Sequence, residues 1–167
     1  EDAAVRGVGE GVVQPGGVPS VWLSPEAQRA GVQAISLSRA GAELELLGAA
    51  VPASHGVFEA LNMAAWSAGL LIRVPARTTL RGPLHVAIPA NGSANVPRLL
   101  VVVGEGAEVE LVEEHLGGRP DSLVLGVSEV FVEDNAQLRH VLIQGWNAGV
   151  RGHLTQRTVL GRGARSL

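Results

Sequence analysis

Five histidines, His55, His85, His115, His140 and His153, are the residues of this 167-residue chain best suited to proton transfer or metal binding. No two have the close spacing of a helical zinc motif, so as ligands they would have to meet across separate strands. The densest polar group is Glu113-Glu114-His115, at the end of an apolar segment. It reads as a solvated strand end, with a metal or proton-transfer site as the alternative. Glu110 and Glu113 form a candidate acid pair of the kind that cleaves glycosidic bonds. Only three Asp are present, and Asp121-Ser122 follows Pro120 as a turn, so no Ser-His-Asp arrangement suggests itself.

The chain has no Cys and no Lys. Thiol nucleophiles, disulfides and Cys-ligated zinc or iron–sulfur sites within it are thereby excluded. Gly7-Val8-Gly9-Glu10-Gly11 and Gly104-Glu105-Gly106 are glycine-rich but lack the Gly-Lys-Ser/Thr ending of a phosphate loop, and they read as corners. Asn91-Gly92-Ser93 reads as a turn rather than a glycosylation site. Trp146, in Ile143-Gln144-Gly145-Trp146-Asn147, is either a core-capping aromatic whose N–H finds a local partner or part of the polar wall of an internal channel.

The elements that must position these residues are built from small aliphatics. Hydrophobic residues are 46% of the chain but aromatics only 3%, and 22 residues are Gly. A net charge of −3 argues against a nucleic-acid platform. No apolar run approaches the ~20 residues of a membrane span, and the start, Glu1-Asp2, has no signal pattern, so a cytoplasmic location is expected. The chain opens without Met, as a processed or incomplete one would. Residues 1 to about 20 read as a flexible lead-in. Ser24-Pro25-Glu26 predicts a short helix with Ser24 as N-cap, ending at Gly31. Residues 32–37 alternate like a strand, and residues 38–47 could form another helix. Phe58, Leu61 and Ala65 predict a helix over 58–68 with Gly69 as its C-cap.

After Gly69, short β-branched runs recur. LLVVVGEGAEVELVEEH (99–115) aligns with SEVFVEDNAQLRHVLIQ (128–144) at an offset of 29, and QRTVLGRGARSL (156–167) follows 28 later. Ile72, Val101 and Val130 share one column; Val74, Val103, Val132 and Leu160 share another; Leu80, Val109 and Leu138 a third. Gly106-Ala107, Asn135-Ala136 and Gly163-Ala164 form a turn column. Arg81, Glu110 and Arg139 would stack outward with alternating charge. Such a period marks a solenoid, and strands without helices between them make it a parallel β-helix. An antiparallel sandwich with evenly spaced strands is the competing reading.

The pattern Phe58-x-Ala60-Leu61-Asn62-x-Ala64-x-Trp66-Ser67-x-Gly69, then Ile72-x-Val74-Pro75, resembles the core entry of the SufB/SufD family of iron–sulfur cluster assembly proteins. Pro83-Leu84, Arg98-Leu99-Leu100-Val101-Val102 with Gly106-Ala107 and Val112-Glu113, and Ile143-Gln144-x-Trp146 follow in the family's order. Gly31-Val32 with Leu37 fits its weaker N-terminal pattern. The resemblance implies a mainly β protein, a right-handed parallel β-helix with a short N-terminal helical segment. It also implies a scaffold that works with a SufB/SufD-type partner and the ATPase SufC, and not an enzyme. The iron–sulfur cluster would be handled by the full complex, with no cofactor in this chain. Gln144 and Trp146, with His115, become candidate lining residues of a channel through the β-helix.

Departures from SufB point to the SufD side of the family. His115 stands where SufB carries Cys, and Thr155-Gln156-Arg157 stands where SufB reads Thr-Lys-Arg. The Phe-Arg-x-Asn-like segment of SufB is replaced near His85 to Pro89. Trp66-Ser67 and Gln144-Gly145-Trp146 are the more SufB-like features.

The expected organisation is an N-terminal mixed segment over 1–55, a helix leading into the core over 56–69, and a β-helix core over 70–167 that is incomplete at its C-terminal end. That end is expected either to mark a fragment or to self-associate through its unpaired edge. No nucleic-acid or membrane partner is expected. A polysaccharide-cleaving β-helix and a structural interaction module are the alternative functions.

Overall fold

The computed structural model describes residues 7–13 and 17–167. About half of the chain (49%) is strand, wound into a parallel β-solenoid of about three turns. Each turn crosses from one sheet to the other. The successive pairs are β4 (Ala68–Val74) with β5 (Leu84–Pro89), β7 (Pro97–Val103) with β8 (Glu108–Gly117), and β9 (Leu123–Val132) with β10 (Gln137–Trp146). A further pair, β11 (Arg151–Leu160) with the short β12 (Arg165–Ser166), follows them. One sheet therefore runs β12-β10-β8-β5 and continues into β1 (Gly9–Val12) and β2 (Ser20–Leu23). The other runs β11-β9-β7-β4 and ends at β3 (Gln33–Ser36), while β6 (Ala94–Asn95) pairs with β9.

The repeat columns are the register. Ile72 lies opposite Val101, and Val101 opposite Val130. Val74, Val103, Val132 and Leu160 follow in line. Because strand side chains alternate, these residues share one side, and all but Leu160, which is exposed on the outermost strand, join Leu70, Leu99, Val109, Leu111 and Leu138 in the main core. The corner column is a backbone device. Gly106, Asn135 and Gly163 have φ of 64°, 59° and 67°, and Arg77, one period earlier, joins them at 58°. At Arg77, Gly106 and Asn135 the N–H of the corner residue bonds a carbonyl of the next coil, that of Glu105, Asp134 and Arg162 respectively.

Leu99 to Val103 is an unbroken apolar run because both of its faces are covered. The inner face meets the lumen. The outer face, with Leu71, Leu100 and Val102, packs against Leu37, Ala40, Leu46, Leu47 and Trp66 of the N-terminal layer. Helix α1 (Pro25–Arg29), whose Ala27 is buried in the lumen core, begins where expected, with Ser24 Oγ accepting from Ala27 N–H, and Gly31 follows in a left-handed conformation.

Four local expectations differ. Part of the supposed lead-in lies outside the described residues, but Gly9–Val12 is a strand, parallel to β5 and antiparallel to β2. Instead of a helix over 38–47 there are two 3-10 turns, Leu37–Arg39 and Ala42–Leu46, because Gly41 interrupts them. Helix α2 (Val57–Ala65) ends at Trp66 rather than Gly69, since Ala68 and Gly69 begin β4 beside Pro97 and Arg98. The charge column breaks at its first member. Thr79 bridges Glu108 at an offset of 29, yet Leu84 pairs with Leu111 at 27, so Arg81–Pro83 bulge out of register. Glu110 and Arg139 remain cross-strand neighbours, but neither forms an ion pair among the described residues. No helix among the described residues is long and apolar enough to cross a membrane.

Candidate functional site: a polar cluster inside the solenoid

The inner row of β8 begins apolar with Val109 and Leu111 and then turns polar at Glu113 and His115, two and four residues on. Both are buried, with only 1% of each exposed, so the solvated strand end expected from sequence is wrong. The reason is the alternation: odd-numbered positions of β8 point inward whatever their polarity. The same alternation puts Glu110 on the opposite face from Glu113, so the two cannot flank one glycosidic bond.

Glu113 is held from three sides. Its Oε1 accepts from His115 Nε2 at 2.7 Å and from Ser128 Oγ, on β9 across the lumen, at 2.6 Å. Its Oε2 accepts from His140 Nε2, on β10, at 3.1 Å. Burial alone would raise the Glu113 carboxyl, but the bonds from His115, His140 and Ser128 outweigh it and hold the pKa at about 2. An ionised carboxylate only accepts, so both histidines donate to it from Nε2. His140 Nδ1 then accepts from Gln156 Nε2 of β11 at 2.6 Å. His115 Nδ1 has no partner among the described residues.

Gln144 and Trp146 lie on the same face of β10 as Leu138 and His140, and Gln144 is in register with His115. Gln144 is exposed at the open side of the last turn. The Trp146 ring stands edge-on to His115, with centroids 6.0 Å apart. Its N–H does not find the local partner expected of a capping Trp: Nε1 is buried and unpartnered among the described residues. Space for the ring comes from Gly152 on the facing strand, where a Cβ would sit 1.8 Å from Trp146 Cζ3.

The other histidines lie elsewhere. His85 pairs with Glu114 on the outer face at 2.9 Å, His55 is exposed, and His153 bonds Glu59 of α2 at 3.0 Å. Thr155 also donates to Glu59. The Thr155 bond, aided by His153, holds the Glu59 carboxyl at about 2 against its burial. No three His, Asp or Glu among the described residues could share a metal ion.

A second buried polar cluster went unread in the sequence. Arg98 Nη2 donates to Glu129 at 2.6 Å and Nη1 to Asn62 at 2.7 Å. Glu129 accepts backbone N–H groups of Gly48, Ala50 and Val51, and Asn62 donates to the carbonyls of Pro97 and Leu125. Arg98 and Glu129 lie on the outer face of sheet β4-β7-β9, where the cluster clamps the N-terminal layer. Its signal was available: Arg98 and Glu129 interrupt otherwise apolar strands. His140 was likewise legible as the inward position aligned with Leu111, and Ser128 as the one aligned with Leu99.

Residues 86–166 match the family described as SUF system FeS cluster assembly, SufBD core domain. The chain belongs to the SufB/SufD family. An iron–sulfur cluster assembly SufBD family protein of Staphylococcus saprophyticus is 35% identical over 114 residues, covering 66% of this chain and 24% of the relative. Similar proteins of Staphylococcus haemolyticus (35% over 118 residues, 68% and 25%) and Staphylococcus aureus strain USA300 (36% over 112 residues, 65% and 24%) match it as well. This chain thus spans about a quarter of the length of these curated relatives. The SufBD core match runs from within β5 to β12 and contains the whole Glu113 cluster, together with Gln144 and Trp146. Asn62, Glu59 and the 48–51 segment lie before it.

Proposed function

We propose that this SufB/SufD family chain is a SufD-like scaffold element of iron–sulfur cluster assembly, cytoplasmic and without catalytic turnover or a cluster of its own. It works with a SufB-type subunit and a SufC-type ATPase. The observation that carries the SufD-like reading is the lumen itself: an imidazole, His115, occupies the wall where a SufB-type chain would need a thiol, and no Cys stands anywhere in the sequence. Gln144, Trp146 and His115 line the candidate channel. Support for a partner-binding role comes from the outermost strands, where Val141, Ile143, Val159 and Leu160 are exposed. Affinity purification of the protein from its own cells, read by mass spectrometry, is expected to recover the ATPase and the SufB-type subunit together. Recovery of the chain alone, or only with further copies of itself, overturns the reading.

A further inference from the structure

Asn91-Gly92 is the only Asn-Gly pair in the sequence, and it sits in the connection between β5 and β6 with Asn91 exposed. Such a pair cyclises readily, because glycine has no Cβ to keep its nitrogen away from the neighbouring side-chain carbonyl. Here that nitrogen is occupied. Gly92 N–H donates to Asn95 Oδ1 at 2.9 Å, and Asn95 Nδ2 donates to the Gly92 carbonyl at 2.9 Å. The same Nδ2 donates to the Leu123 carbonyl of β9 at 3.2 Å, and only 2% of Asn95 is exposed. We propose that Asn91 is a latent modification site, open to deamidation through Gly92 and kept in its amide form by Asn95.

The step balances. The Gly92 nitrogen loses its proton and attacks Asn91 Cγ; the N–Cγ bond forms, the Cγ–Nδ2 bond of Asn91 breaks, and ammonia leaves with that proton. Water then opens the cyclic imide at either carbonyl and leaves aspartate or isoaspartate. Nothing is oxidised or reduced, and water is the one co-reactant. Attack needs the nitrogen lone pair, so the bond to Asn95 opposes both the loss of the proton and the turning of Gly92 toward Asn91. The residues that follow are pinned as well. The Ser93 carbonyl accepts from Leu123 N–H at 2.8 Å, and Ala94 and Asn95 pair with Leu123 and Val124. A Cβ on Gly92 would lie 3.3 Å from both the Ala94 carbonyl oxygen and Asn95 Oδ1. The close approach that calls for glycine therefore creates the reactive pair, and the buried Asn95 amide guards it. Modification is confined to molecules in which the pairing of β6 with β9 has opened.

Nothing in this site depends on the scaffold role, and its test is separate from the search for partners. The folded chain and the free peptide of residues 82–98, which trypsin releases between Arg81 and Arg98, are incubated side by side at mildly alkaline pH. Isoaspartate at position 91 is followed by mass spectrometry. The chain is expected to react about tenfold or more slowly than the peptide, the scale of one hydrogen bond. Amide exchange at Gly92 in the unaltered chain should be slowed at least as much, since both processes wait for the same opening. Asn95→Ala, with its fold checked by circular dichroism, should bring Asn91 back toward the peptide's rate, and Asn91→Gln should remove the product. Equal rates in chain and peptide, an unprotected Gly92 amide, or a folded Asn95→Ala chain that reacts no faster overturns the proposal. The first two readouts use the unaltered chain, so a variant that fails to fold does not spare it.

Discussion

Glu113 is the residue on which the lumen depends, because one buried carboxylate accepts from two imidazoles and a hydroxyl. Its pKa falls from an ordinary 4.5 to about 2 in the fold, so folding favours the ionised form. That contribution is complete above 4.5 and is lost as pH falls through about 2. Denaturant melts taken across that interval are expected to show a steeper acid loss for the native chain than for Glu113→Gln, whose amide does not titrate. Glu129 invites a different experiment. It is fully buried against Arg98, so Glu129→Ala leaves a guanidinium without its counter-ion and is expected to cost about 3–5 kcal/mol. Replacing both Arg98 and Glu129 by Met should cost less than Glu129→Ala alone, a non-additivity that equilibrium unfolding of the variants would measure.

At the scale of elements, the corners and the bulge carry the argument. The corner positions Arg77, Gly106, Asn135 and Gly163 are left-handed, and two of the four are not glycine. A left-handed conformation costs an ordinary L-residue about 1–2 kcal/mol, so Gly106→Ala should destabilise by that amount, while Arg77→Gly should be neutral or mildly stabilising. Thermal melts of the two variants separate these outcomes. The strand facing Trp146 is equally specific. Gly152→Ala places a methyl group inside the indole's volume and is expected to swing the ring out of the lumen, raising tryptophan quenching by iodide.

The molecule as a whole behaves as a stack in which each turn meets only its neighbours. Strands β4, β7 and most of β9 are buried on both faces, whereas β11 is a largely exposed edge. Hydrogen exchange is therefore expected to be slowest in β4, β7 and β9 and fastest in β11 and β12, a gradient along the stack rather than one uniform value. The register was readable in advance because a stacked repeat writes the same demand in each period. An inward column must be aliphatic, and a corner must tolerate positive φ. Val101 over Val130 and Gly106 over Asn135 are that demand made visible. The Arg81–Pro83 bulge was not readable, since a two-residue insertion leaves no mark until the strands are paired.

The candidate site divides the same way. Composition by itself determined that no thiol chemistry takes place in this chain, and the spacing of Gln144 and Trp146 put both on one face of a strand. Only the tertiary structure decided that Glu113, a residue that reads as solvated, is buried. It alone brought Ser128, His140 and Gln156, which come from three other strands, to that carboxylate and to His140. A one-dimensional pattern records which way each side chain points, but the contacts between coils depend on where the lumen closes. That closure is set by the packing of both sheets and the layer clamped over them through Arg98 and Glu129.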